Sequence, residues 1–214
     1  GCQWGHIIVI AKLGGSDAVG QFGLALALLM PFVFLASMEL RTVQATDSLG
    51  KYSGIDYVAL RLGTAIATLA ATFILMTVMK CHYDTIAIAL AWGAAKSAEG
   101  ISDISYGYLQ RKDHFSQVSK IQITSGMMSL LIFSTAFAFT HDLIVAAISV
   151  AALRIIINFA IDLPLLLSTD KKQQSTSLTT CSPSAVISLA KFAMPLGITM
   201  AFLSFRDSVP RLCI

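Results

Sequence analysis

Long apolar stretches alternate with short polar ones along most of the chain. With a window of about 19 residues, the hydropathy pattern predicts helical spans at about 1–14 (truncated), 19–40, 57–79, 85–109, 117–140, 143–167 and from 185 onward. Apolar runs of this length indicate helices, because a membrane β-barrel shows alternating segments of about ten residues. The pattern therefore predicts an all-α, polytopic transmembrane helix bundle.

The polar stretch "STDKKQQSTSLTTCSPS" divides the chain. It predicts a helical region at 1–168, a linker at 169–184 and a further helix at 185–214. The first apolar run is shorter than the roughly 20 residues that a span needs. No signal-peptide pattern or initiator Met precedes it, and the sequence stops at the apolar "VPRLCI". We therefore expect a fragment with a clipped first helix.

The composition supports a membrane protein. Hydrophobic residues make up 56% of the 214 and charged residues 13%, with a mean hydropathy of +0.74, whereas soluble domains carry about 25% charged residues. The net charge of +3 is small and the basic residues are scattered, which argues against a nucleic-acid partner. The cysteines and histidines lack metal-ligand spacing, so we expect no metal and no cofactor.

Basic residues are unevenly distributed among the predicted loops. They concentrate after the second, fourth and sixth spans: Arg41, Lys51, Arg111, Lys112, Lys171 and Lys172. Because basic loops favour the cytoplasmic side, this distribution predicts that the linker and the N-terminus are cytoplasmic.

The fourth span carries polar residues where a lipid-facing helix would be apolar. Their spacing of three, four, three and four residues places them on one face of a helix: Lys96, Glu99, Asp103, Tyr106 and Gln110. A charge facing lipid at mid-bilayer costs at least about 2.5 to 3.5 kcal/mol, so this polar stripe should face the bundle interior or a wet cavity. In the alternative interpretation, Lys96 and Glu99 form an internal ion pair that only holds helices together.

Three more basic residues lie inside predicted spans: Arg61, Arg154 and Lys191. Arg61 and Lys191 are close enough to a span end for their side chains to reach the headgroups, which is the alternative interpretation. Arg154 lies nearer the middle of its span. Several such cations around one cavity would bind an anion such as pyrophosphate.

Catalytic motifs are absent from the sequence, which has no HExxH, P-loop or Ser/His/Asp pattern. We therefore do not expect an enzyme. A membrane-embedded glycosyl- or phosphotransferase would need clustered acidic metal ligands, and Asp103 has no such neighbours. A structural membrane subunit, held together by the polar stripe, stays open.

Four stretches resemble one transporter family: "LGGSDAVGQFGLALALLMP"; "ELRTVQATD" with "YVALRLGTA"; "SDISYGYLQR" followed by "SQVSKIQITSGMMSLL"; and "MPLGITMAFLSFRDSVPRLCI". Each is loose alone, but they cover nearly the whole chain in order. The chain resembles the N-terminal half of the polysaccharide exporter and O-antigen flippase family. That family belongs to the multidrug/oligosaccharidyl-lipid/polysaccharide exporter superfamily.

The resemblance implies a first six-helix lobe at 1–168 and the first helix of a second lobe at 185–214. It implies a carrier that flips polyprenyl-pyrophosphate-linked oligosaccharide across the bacterial inner membrane for O-antigen, capsule or exopolysaccharide. Its partners would be this lipid, membrane lipids and other polysaccharide-assembly membrane proteins. By the same resemblance, a cationic substrate cavity would contain Lys96, Arg154, Arg61 and Arg206. A multidrug exporter of the same superfamily is the alternative, and Glu99 and Asp103 leave it open.

Overall fold

The computed structural model describes residues 2–46, 52–111, 115–158, 160 and 183–212, and the side chains at 2, 3, 108, 111 and 205–212 lie outside this description. Within these ranges the secondary structure is helical, which confirms the predicted all-α class. The helices are α1 (Cys2–Leu13), α2 (Gly15–Ser37), α3 (Leu40–Thr46), α4 (Gly54–Val78), α5 (Tyr83–Arg111), α6 (Phe115–Thr140), α7 (Leu143–Ile157) and α8 (Pro183–Leu212).

The predicted span at 19–40 is interrupted near its end. Met38 and Glu39 both have a positive φ, 45° and 47°, which ends α2 and lets α3 start in a new direction. Few non-glycine residues adopt this conformation, so surrounding contacts must hold it. One such contact is Gly197 of α8, where an added Cβ would lie 2.6 Å from the Leu35 carbonyl oxygen.

Local capping explains two boundaries that differ from the expected ones. The third span was expected from 57, but α4 starts at Gly54 because Ser53 and Asp56 form a capping box. The last helix was expected from 185 but starts at Pro183, since proline suits the first helical position. Most of the predicted linker, and the end of the sixth span, lie outside the described residues.

Helix α5 lies inside the bundle and contacts α2, α3, α4, α6 and α7. On one side of its midpoint, Trp92 packs edge-on against Phe22 at 5.1 Å and against Phe133 at 6.1 Å between ring centroids. A second apolar cluster forms toward the other end of α5, around Tyr57 and Ile104. The polar stripe of α5 begins beyond Trp92.

The outside of the bundle is apolar. Large hydrophobic side chains are exposed along α4, α6 and α8, including Ile66, Phe73, Leu131, Phe192 and Phe202. Four helical stretches are long and apolar enough to cross a membrane: Gly15–Thr46, Gly54–Val78, Phe115–Thr140 and Pro183–Ser204. These features indicate a membrane-embedded protein. The charged α5 is not among the four, which fits its interior position.

Candidate functional site

The polar stripe of α5 borders two sizeable cavities and, at Lys96 and Arg61, a small space of about 10 Å³. The central cavity, of about 330 Å³, lies among α5, α6 and α7, with His6 of α1 in its wall. The second cavity, of about 230 Å³, lies on the α3 and α4 side of α5. Asp103 lines both, so α5 separates them.

In the central cavity, one carboxylate is shared by two cations. Lys96 Nζ lies 2.7 Å from Glu99 Oε2, and Arg154 Nη2 of α7 lies 3.9 Å from Glu99 Oε1. Arg154 Nη1 also donates to Ser125 Oγ of α6. The Lys96–Glu99 pair of the alternative interpretation is therefore present, but it lines a cavity and extends to two further helices.

Asn158 fixes the helix that carries Arg154. Its Nδ2 donates to the Ala98 carbonyl oxygen at 2.7 Å, and its Oδ1 accepts from Ser102 Oγ at 2.6 Å. Residues four apart share a helix face, so this buried bond pair holds the Arg154 face of α7 against α5. The sequence analysis did not single out Asn158. Its signal was an amide within the apolar run "IIINFAI".

At the second cavity, a basic residue that was expected in a loop contacts the polar stripe. Arg41, expected in a loop, lies on α3, where its Nη1 is 3.6 Å from Asp103 Oδ1. Its Nε donates to Gln110 Oε1 at 3.0 Å, and its Cζ lies 5.6 Å from the centroid of the Tyr106 ring. Arg41 thus contacts three of the five stripe residues. The three-residue spacing of Leu40 and Val43 was the available signal for this short amphipathic helix.

Arg61 lies on the opposite side of α5 from the central cavity. Its side chain is directed into the bundle, with the residue only 8% exposed, so it does not reach toward headgroups as the alternative interpretation supposed. Its Nη1 donates to the Ala36 carbonyl oxygen at 3.1 Å, and it lines the second cavity. A Cβ at Gly100 would overlap its guanidinium, so glycine is what lets Arg61 lie across α5.

The four cations expected in one cavity are thus distributed. Lys96 and Arg154 line the central cavity, and Arg61 lines the second. Arg206 lies on α8, but its side chain is outside the described residues. Lys191, on the same helix, is exposed.

The central cavity is mixed in charge rather than cationic. Of the described side chains that line it, Lys96 and Arg154 are basic and Glu99 and Asp103 are acidic, with His6 and Tyr106 the remaining titratable groups. The reason is physical, since buried charges in an apolar bundle need partners. The sequence analysis paired Lys96 with Glu99 only as an alternative interpretation, and it did not pair Arg154 or Arg61 with the carboxylates of the stripe.

The far end of the central cavity is aromatic, and His6, Trp92 and Ser129 line it. His6 is buried there, with its ring centroid 5.2 Å from that of Trp92 and its Nε2 3.5 Å from Ser129 Oγ. No cluster of three or more His, Cys, Asp or Glu side chains that could hold a metal occurs in the described ranges.

Comparison with known proteins gives one informative similarity. No protein-family model matches the chain. No solved structure matches it. Over 160 residues, 75% of this chain, it is 26% identical to "Capsular polysaccharide biosynthesis protein CapF" of Staphylococcus aureus. The aligned region covers 39% of that relative, so the chain spans well under half of its length.

Proposed function

We propose that this chain belongs to a membrane transporter that flips polyprenyl-pyrophosphate-linked oligosaccharide across the bacterial inner membrane. The observation that carries the proposal is the meeting of Lys96 and Arg154, from two helices, at a cavity inside an apolar bundle. The similarity to a protein named for capsular polysaccharide biosynthesis supports a role in surface polysaccharide. The N-terminus would face the cytoplasm, as the basic loops predict.

The physical need for such a site is clear. A pyrophosphate cannot cross hydrocarbon without its hydration shell, unless fixed cations replace the lost water. A lysine and a fork-shaped arginine are suited to this task. Rocking of two lobes would then expose the site to each side in turn. No covalent chemistry is needed, so we propose a carrier rather than an enzyme.

The size of the central cavity limits what it holds. At about 330 Å³ it is at the lower end of the roughly 300–1,000 Å³ range of ligand pockets. That space suits a diphosphate and a neighbouring sugar rather than a whole oligosaccharide. The aromatic end, with His6, Trp92 and Ser129, is on the side where an uncharged sugar would fit. The lipid tail and the remaining sugars would lie outside this cavity.

The balanced charge supports a second candidate function. Glu99 and Asp103 also line the cavity, and carboxylates are the groups that a multidrug exporter would use to bind cations. The two functions differ in which charged residues of the cavity are essential. A flippase needs the cations for its anionic substrate, whereas a cation exporter needs the carboxylates.

Replacement of the cavity cations tests the proposal. In the complete protein, Lys96→Ala and Arg154→Ala should each lower surface polysaccharide by more than about tenfold, because each leaves the headgroup short of a buried charge partner. The measurement is polysaccharide on cells that lack the native gene, with the amount of protein in the membrane determined by immunoblot.

Lys191→Ala is the matched control, since Lys191 is also a basic residue within a helix but is exposed. It should leave the polysaccharide unchanged. Normal polysaccharide in both cavity variants would contradict the flippase. Loss of ethidium efflux in Glu99→Gln, with normal polysaccharide, would favour the multidrug exporter.

A further inference from the structure

We propose that Glu99 is an internal substitute for the anionic headgroup, occupying both cations of the central cavity while no substrate is bound. This inference rests on the proposed function and adds to it how the site is held empty and how it releases its ligand. It requires a carboxylate that occupies the ligand's place and can leave it.

The first condition is met by the contacts of Glu99. Its Oε2 binds Lys96 Nζ at 2.7 Å and its Oε1 faces Arg154 Nη2 at 3.9 Å. Each carboxylate oxygen thus faces one of the two cations, as two oxygens of a phosphate group would. Any anion that binds Lys96 and Arg154 must take the place of this carboxylate.

The second condition is met by exposure. The Glu99 side chain is 35% exposed, against 18% for Lys96 and 15% for Arg154. The Glu99 side chain is therefore the most accessible of the three, and it lines the same cavity as the two cations. The two contacts described for this carboxylate are both single ion pairs, so rotation of the Glu99 side chain releases both cations together.

Asp103 shows that this arrangement is specific to Glu99. It lines the same cavity, but its partner Arg41 comes from α3 and is itself held by Gln110 and Tyr106. An anion in the central cavity has no cation to take from Asp103, because Arg41 lines the second cavity and is not among the described residues of the central cavity. Of the two carboxylates at the central cavity, only Glu99 competes for the cations of the binding site.

The exchange explains how a carrier binds and releases a strongly charged ligand. With Glu99 in place the empty site contains no unpaired buried cation, which would otherwise destabilise the bundle. Arrival of the headgroup replaces one anion by another, and the return of Glu99 helps to expel the headgroup on the far side. Transport needs binding that is weak enough to reverse, and Glu99 sets that limit.

The test measures binding of farnesyl pyrophosphate, a diphosphate on a short polyprenyl chain, to the complete purified protein in detergent. Glu99→Gln removes the competing charge and nearly keeps the shape, so the dissociation constant should fall by at least about tenfold. Asp17→Asn removes an exposed carboxylate outside the cavity and should leave the constant unchanged. Export of polysaccharide should fall in Glu99→Gln, because the ligand is released more slowly.

A gain in affinity is not what a general structural defect produces, so the direction of the effect is decisive. Should Glu99→Gln fail to fold, Glu99→Asp withdraws the carboxylate by one methylene and should give a smaller gain. Unchanged or weaker binding in the folded Glu99 variants, with binding lost in Lys96→Ala, would overturn the internal substitute and leave the flippase standing. Absence of binding in both the wild type and Glu99→Gln would overturn the anion site itself.

Discussion

The two cavities on either side of α5 use the same residue types in different ways. In the second cavity Arg41 contacts three residues of the polar stripe. Arg61 donates to the Ala36 carbonyl oxygen, and its guanidinium packs against Gly100. In the central cavity Lys96 and Arg154 share one accessible carboxylate. The number of cations is equal, so charge alone does not distinguish the cavities. What differs is how firmly the partners of each cation are fixed.

This difference distinguishes charged residues that bind a ligand from charged residues that stabilise the helix bundle. A cation whose hydrogen-bond donors are bound to several fixed groups of the protein has few donors left for a ligand. Such a cation stabilises the packing of helices instead. A cation held by one movable carboxylate can exchange it for another anion. On this criterion the central cavity is the ligand site and the second cavity is a structural joint between α3, α4 and α5. Variants on the two sides should therefore affect different measurements.

The largest effect is expected from the glycine beneath Arg61. Gly100→Ala places a methyl group where the guanidinium lies, so Arg61 must leave its site and lose the bond to Ala36. Loss of a hydrogen bond from a buried charged group costs about 1.5–3 kcal/mol. We expect a lower midpoint of thermal unfolding in detergent and less protein in the membrane.

Gly63→Ala on the neighbouring helix α4 is the matched control. No heavy atom lies within 4 Å of an added Cβ at this position. Because alanine is favoured over glycine in a helix by up to about 1 kcal/mol, the unfolding midpoint should stay the same or rise. Equal midpoints in the two alanine variants would show that Arg61 is not confined by α5.

A smaller loss of stability is expected on removal of Arg41. Arg41→Ala deletes the contacts to Asp103, Gln110 and Tyr106, but the side chain is about a quarter exposed, 26%. Partly exposed ion pairs contribute up to about 1 kcal/mol, so the unfolding midpoint should fall by a few degrees. Farnesyl pyrophosphate binding should stay within about twofold of the wild type, since Arg41 lines the second cavity and is not part of the wall of the central one.

Arg41→Lys gives a control that retains the charge. Lysine lacks the forked donors and the planar face of arginine, so it should recover only part of the lost stability. A tenfold loss of diphosphate binding in Arg41→Ala, with normal stability, would reverse the assignment of the two cavities.

Part of this arrangement could be predicted from the sequence because it depends on local spacing. The three-and-four spacing of Lys96, Glu99 and Asp103 already placed them on one helix face, and apolar length defined the helices. The site as a whole depends on distant partners. Gln110 and Arg41 are 69 residues apart, and Arg154 and Ser125 are 29 apart, so no local pattern pairs them.

The position of Arg41 was hidden for a local reason as well. The turn that directs α3 toward α5 is formed by Met38 and Glu39 in left-handed conformations, where a glycine would be the usual signal. A stretch of apolar residues continuing to Leu40 looked like one uninterrupted span. Tertiary packing, including the close approach of Gly197, holds the turn without a sequence marker.

The smallest effect is expected from Ser125, which lines the central cavity and contacts one of its two cations. Its hydroxyl accepts from Arg154 Nη1, and a typical net hydrogen bond contributes about 0.5–1.5 kcal/mol. Ser125→Ala should therefore weaken farnesyl pyrophosphate binding by about two- to tenfold and leave the unfolding midpoint nearly unchanged. Ser149→Ala on α7 is the control, because its exposed hydroxyl bonds only the Val145 carbonyl of its own helix among the contacts described. If both serine variants bind the diphosphate equally well, the contact with Ser125 is not needed to orient Arg154. Arg154 would then act in the central cavity as a mobile charge.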